Sequence, residues 1–153
     1  MNDRQDPILE FRGPTYWLSN FYPVEVRYGY MWFPSVECAY QAAKFPDTST
    51  RELFQTMTSK EALAYAHEHM PDPPGEWHLR KIAVMYHLLM QKFHNHPHLK
   101  QRLRDTGNAH LEEGNTHGDV FWGTVDGEGE NCLGILLMEV RSQITLSWDG
   151  GES

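Results

Sequence analysis

Apolar and polar positions fall in short blocks at the start of the chain and recur at helical spacing from Val36 onward. The early blocks, bounded by turn residues, predict strands at Ile8–Arg12, Val24–Tyr28 and Tyr30–Phe33, with a turn at Tyr28-Gly29-Tyr30. Pro34-Ser35 opens a helix with Ser35 as its N-cap, running to about Phe45 before Pro46. Further helices are expected over Arg51–Met57, over Lys60–His69 with Ser59 as cap, and over Glu76–Phe93. Another opens at His96-Pro97 and closes at Gly107, and the last covers Asn131–Ile144. The breaker cluster Met70–Gly75 reads as an inter-helix loop, and Phe121–Val125 as a strand. Together these predict an α+β fold: a single compact, helix-dominated domain with a small β-sheet, its core over about residues 9–146. The tail from Trp148 to Ser153 is expected to fray.

Two helices break their own patterns. In the helix opened by Ser35, Val36, Tyr40 and Ala43 form an apolar stripe, and Glu37, Gln41 and Lys44 share the neighbouring face. That row is either a solvated polar face or a set of catalytic groups on a rigid element, where a carboxylate and an amine can shift each other's pKa. In the long helix, Lys81 lies in a stripe with Trp77, Val84 and Leu88. Either its stem packs there while the ammonium reaches water, or Trp77 and Lys81 line a cleft, the indole stacking a flat base and the amine meeting phosphate.

Composition narrows the class. A chain of 153 residues can bury a core without staples, and two cysteines, Cys38 and Cys132, are too few for a disulfide framework. With no apolar leader and no apolar run long enough to span a bilayer, the expected location is the cytoplasm, with no membrane partner. A net charge of −8 argues against tight nonspecific nucleic-acid binding but permits one modified nucleotide in a local pocket. Nine histidines raise the question of a metal. The densest group, His94, His96 and His98, has no matching ligand spacing, and no H-E-x-x-H or paired C-x-x-C occurs, so neither metal nor cofactor is expected. A G-x-S-x-G elbow is also missing.

The segment from Asn115 through Asp119, Trp122 and Gly123 leads into a Gly-rich loop and the helix at Asn131. Such a loop can offer backbone N–H groups to an anion, with Asn131 as a cap, or it can be an ordinary capped loop. The small Gly134 allows a ligand or a backbone to come close.

Taken together, Leu18–Pro23, Ser35–Phe45, Trp77 with Lys81, and Asn115 through Arg141 resemble the NADAR family, in family order over nearly the whole chain. Cys38 stands where the family commonly has His, and Glu130 where a basic residue often precedes the Asn. The resemblance implies a helix-rich fold and N-glycosidase chemistry on a ribose–base bond. The first expectation is removal of ADP-ribose from ADP-ribosylated guanine in nucleic acid, as the antitoxin-like partner of a DNA ADP-ribosyltransferase. The alternatives are hydrolysis of phosphorylated ribosylamino-pyrimidine intermediates of riboflavin synthesis, and a non-catalytic ADP-ribose or nucleotide-binding module. The family pattern places Asn20, Phe21, Gln41, Trp77, Lys81, Trp122, Gly123, Asn131 and Gly134 around the substrate, with Glu37, Lys44 and Asp119 as catalytic groups.

Cleaving such a bond builds positive charge on the sugar and negative charge on the base, so the site must supply an anion at one and donors at the other. Glu37 takes the sugar side. Asp119 orients a ribose hydroxyl or acts as base, and Trp77 or Trp122 stacks the leaving base. Lys44 is either a nucleophile forming an imine or a proton donor.

Overall fold

The computed structural model describes residues 5–146, so the frayed tail expected from Trp148 lies outside the described residues. Asn20–Lys92 form one packing unit; the described parts of Met1–Ser19 and Phe93–Ser153 form the other.

The first unit is built around one short helix. Strands β1 (Val26–Tyr28) and β2 (Met31–Phe33) make a two-stranded antiparallel sheet, with Val26 opposite Phe33 and Tyr28 opposite Met31. Helix α1 (Val36–Ala43) follows, and the Ser35 hydroxyl accepts from the Cys38 N–H as its N-cap. Next come α2 (Thr48–Leu53), a 3₁₀ turn at Phe54–Thr56, α3 (Ser59–His69) and α4 (Gly75–His94). The two strands, α2, the 3₁₀ turn and α3 all pack on α1, and each of its eight residues is buried. An aromatic cluster extends this core, with Phe54 5.5 Å from Phe45 and 5.3 Å from Tyr65 between ring centres.

Boundaries differ from the sequence reading where a side chain claims a backbone group. Asp47 caps α2 by accepting from the Thr50 N–H, so that helix starts earlier than Arg51. Thr58, not Ser59, caps α3, in a reciprocal capping box with Glu61. The Ser59 hydroxyl instead lies 2.7 Å from the Ser35 hydroxyl and donates to the Phe21 carbonyl, tying the starts of α1 and α3 together.

In the second unit, α5 (Pro97–Asp105) packs on α6 (Cys132–Leu146), and Leu99, Leu103, Leu133, Leu137, Val140 and Ile144 are buried. The expected strand at Ile8–Arg12 is only a bridge from Ile8 to Leu111. The chain then turns into a 3₁₀ helix at Gly13–Leu18, held where the Thr15 hydroxyl donates to the Glu10 and Arg12 carbonyls. Nor is Phe121–Val125 a strand. The Asp119 carboxylate takes the N–H groups of Phe121 and Trp122, which leaves those donors unavailable to a ladder.

Helix α4 contains a fully buried lysine, Lys92, one turn beyond Leu88 on the apolar stripe. Its ammonium lies 5.5 Å from the centre of the Tyr22 ring, and burial lowers its pKa from 10.5 to about 7. Between those values the unfolded chain holds a proton that the folded chain has released. Stability contributed by this site therefore rises with pH from about 7 to about 10.5, by up to about 1.4 kcal/mol per unit. The Lys92→Met variant should lose that slope. Urea titrations should show its stability relative to the parent as highest at or below pH 7 and falling toward pH 10; a difference independent of pH would refute the assignment.

Candidate functional site

The polar row on α1 is not a solvated face. Glu37 is 7% exposed and Gln41 4%, in a helix covered on every side by its neighbours. Gln41 Nε2 donates to Glu37 Oε2 at 2.7 Å, which fixes the carboxylate along the helix. The Glu37 N–H itself donates to the Asn20 carbonyl, so the segment before β1 is tied to the same turn. Asn20 Nδ2 donates to the sulfur of Met85.

Two acceptors here are left over. Asn20 Oδ1 and Gln41 Oε1 are buried without a hydrogen-bond partner among the described residues. A buried acceptor left unpaired costs about 1–3 kcal/mol, and such groups in a folded protein call for an explanation. Hydroxyl or N–H groups of a bound molecule would satisfy both.

Lys44 is the C-cap of α1, and its ammonium lies 5.4 Å from the centre of the Tyr40 ring. Burial pushes its pKa below the usual lysine range; the Glu37 carboxylate opposes that lowering and Lys81 adds to it. Thus Glu37, Gln41, Lys44 and Asn20 come together in the first unit, with the charge of Lys81 acting on Lys44. Lys81 is half-buried, its Nζ 3.3 Å from His78 Nδ1. Phe21 is also half-buried, and its carbonyl anchors Ser59. Trp77 differs from the expectation of an open stacking ring. It is 2% exposed, tilted against Tyr40 at 5.2 Å, and supports the ring that carries Lys44.

The remaining predicted residues belong to the second unit, where most are engaged in holding their loop. Asp119 Oδ1 caps the turn at Phe121 and Trp122, and Asn115 grips the Asp119 backbone at both its N–H and its carbonyl. The Trp122 ring is half-buried, edge-on to Phe121 at 4.9 Å. Asn131 sits at φ 52° and does not cap α6 with its side chain. Its amide accepts from the Glu113 N–H and donates to the Leu111 carbonyl. A Cβ at Gly134 would collide with the Leu111 carbonyl and the Asn131 amide, and one at Gly123 with the Glu113 carbonyl. Close approach of backbone accounts for both glycines.

Sequence reasoning missed two arginines. Arg51 on α2 donates from Nε to the Phe45 carbonyl at 2.6 Å and from a terminal nitrogen to the Ala43 carbonyl at 3.4 Å. Arg80 on α4 reaches the same Ala43 oxygen at 3.3 Å, with its Nε 3.2 Å from Glu76. Two guanidinium groups thus converge on the carbonyl of Ala43, the last residue of α1. Together with Lys44 they line a cleft of about 530 Å³. The two arginines lie on different helices, so no local spacing announces them.

Among the described residues no helix is long and apolar enough to cross a membrane, and no group of three His, Cys, Asp or Glu could hold a metal ion. The NADAR domain model matches residues 10–145 of the chain. The chain is 36% identical over 149 residues to the N-glycosidase YbiA of Escherichia coli, covering 93% of this chain and 91% of that protein. It is 33% identical over 129 residues to a riboflavin biosynthesis protein of Vibrio vulnificus, covering 83% of this chain but only 35% of that relative's length. The NMR structure of Escherichia coli YbiA is similar with a TM-score of 0.81 at 30% identity, covering 94% of this chain and 88% of that one.

Proposed function

Because the chain belongs to the NADAR domain family, we propose that it is an N-glycosidase that hydrolyses a ribose–base bond. The observation that carries this reading is the buried Glu37 carboxylate, fixed by Gln41 and feeling the charge of Lys44, with the amide oxygens of Gln41 and Asn20 buried without a partner among the described residues. A buried anion is what a sugar acquiring positive charge requires, and its low-dielectric surroundings strengthen the interaction. The two amide oxygens are suited to ribose hydroxyls. Water adds at C1′ and the base departs with a proton.

The substrate we favour is ADP-ribose on guanine in nucleic acid, which would make the protein the reversing partner of a DNA ADP-ribosyltransferase. A second reading, phosphorylated ribosylamino-pyrimidine intermediates, is favoured by the similarity to the Vibrio riboflavin biosynthesis protein, although the chain spans about a third of that protein.

Side-by-side turnover of ADP-ribosylated DNA and of a ribosylamino-pyrimidine phosphate tests both. Release of ADP-ribose from DNA at the higher rate is expected. Cleavage of the pyrimidine compound alone would reverse the ranking. Binding without turnover of either would make the chain a recognition module. Extensive chelation should leave the rate unchanged, given the donor sets available. A loss restored by one divalent ion would contradict that.

A further inference from the structure

The cleft that Lys44 borders is rich in positive charge. The chain carries a net charge of −8, yet this one recess is lined by Lys44, Arg51 and Arg80 against a single carboxylate, Glu76. Pro46 and Pro74 form part of its wall, and the fixed backbone angle of proline stiffens both segments. The two guanidinium groups are held close together because both bond the Ala43 oxygen. Each has further N–H donors beyond those bonds, in the fork that suits phosphate oxygens. Clustered cations repel one another unless an anion joins them, and Glu76, itself largely exposed, pairs with Arg80 at 3.2 Å.

We propose that this cleft is the phosphate subsite of the enzyme, in which Arg51 and Arg80 hold the phosphate or diphosphate of the substrate while its ribose reaches Lys44 and Glu37. The assignment rests on the N-glycosidase reading for the placement of the ribose. The cleft's affinity for phosphate is a separate property and can be measured without turnover. Lys44 joins the two parts: it lines the cleft and feels the charge of Glu37. The volume, about 530 Å³, admits a phosphate with part of its attached sugar.

The test is calorimetric titration of the intact chain with ribose, ribose 5-phosphate and ADP-ribose. Both phosphorylated compounds should bind at least about tenfold more tightly than ribose, as expected for charge-assisted bonds to two guanidinium groups. The Arg51→Gln and Arg80→Gln variants should lose most of that preference, while Glu37→Gln, which removes the sugar-side anion, should keep it. Both arginines also anchor the end of α1, so a third variant guards against misfolding. Glu76→Gln removes the competing carboxylate from an exposed position and should tighten phosphate binding several-fold. ADP-ribose binding more tightly than ribose 5-phosphate assigns the cleft to a diphosphate, and the reverse order to a phosphomonoester. Equal affinities for ribose and its phosphate overturn the proposal. So does a Glu76→Gln variant that binds phosphate no better than the parent. A phosphate preference that survives in a protein with no glycosidase activity would keep the subsite and sink the reaction instead.

Discussion

Glu37→Gln should lose at least about a hundredfold in kcat while melting at nearly the temperature of the parent. The substitution is isosteric, and the amide can still accept from Gln41, so the packing of α1 is preserved. What disappears is the negative charge beside the sugar, needed only as the bond breaks. The variant carries a second signature. Glu37 raises the pKa of Lys44 against the lowering by burial, so its removal should shift the titration of Lys44 to lower pH. Turnover near the parent rate in a folded variant would remove Glu37 from the reaction. An unmoved Lys44 titration would mean the two groups are not electrostatically coupled.

Lys44→Arg should be the second large loss, on the order of a hundredfold or more, with binding of the product little changed. Arginine keeps the charge and the contact with Tyr40 but cannot act as an amine nucleophile. In the nucleophilic route the amine attacks C1′ of the ring-opened sugar. Ring opening breaks C1′–O4′ and leaves C1′ as an iminium on the base nitrogen, O4′ taking a proton. The amine adds to C1′, the C1′–base bond then breaks as the base leaves with a proton from Nζ, and water hydrolyses the C1′=Nζ imine that remains. Borohydride added during turnover should then trap an adduct mapping to Lys44. The pH profile distinguishes this from proton donation. A nucleophile must be neutral, so activity rises with pH through the folded pKa, which burial places below 10.5. A proton donor must be charged, so activity falls through the same point. A rising limb without any trapped adduct would contradict the imine, and an adduct on Lys81 would move the chemistry to α4.

The sequence exposed the row Glu37–Gln41–Lys44 because helical spacing is local, and the segments resembling a known family gave the helix-dominated fold with its small sheet. Burial of the row was not legible. Glu and Gln on one helix face ordinarily meet water, and only the packing of β1, β2, α2 and α3 around α1 removes it. The stripe through Trp77 and Lys81 could not tell a ring lining a cleft from one buried beneath it; the structure buries Trp77 against Tyr40. Lys92 could have been found by extending that stripe one turn past Leu88. The expected strand at Phe121–Val125 failed because strand propensity says nothing about a side chain such as Asp119 that takes the backbone donors first, and at Ile8–Arg12 the Thr15 hydroxyl claims backbone acceptors instead. Arg51 and Arg80 required the fold itself, since only packing brings α2 and α4 to the same carbonyl.

The division of the chain has a consequence for the order in which it folds. Asn20–Lys92 are contiguous, so α1 can acquire its cover from segments made immediately before and after it. The second unit joins described residues that precede Asn20 to others that follow Lys92, and the bridge from Ile8 to Leu111 closes a loop of about a hundred residues. Contacts that distant form slowly, because the closure entropy must be met before any packing is gained. During synthesis, Phe11 and Trp17 should therefore wait uncovered until residues beyond Phe93 emerge, while the helix bearing Glu37 is already settled. Pulse-labelled hydrogen exchange on the refolding chain should protect amides of α1 before those of Ile8 and Glu112, and simultaneous protection would show that the two units fold as one.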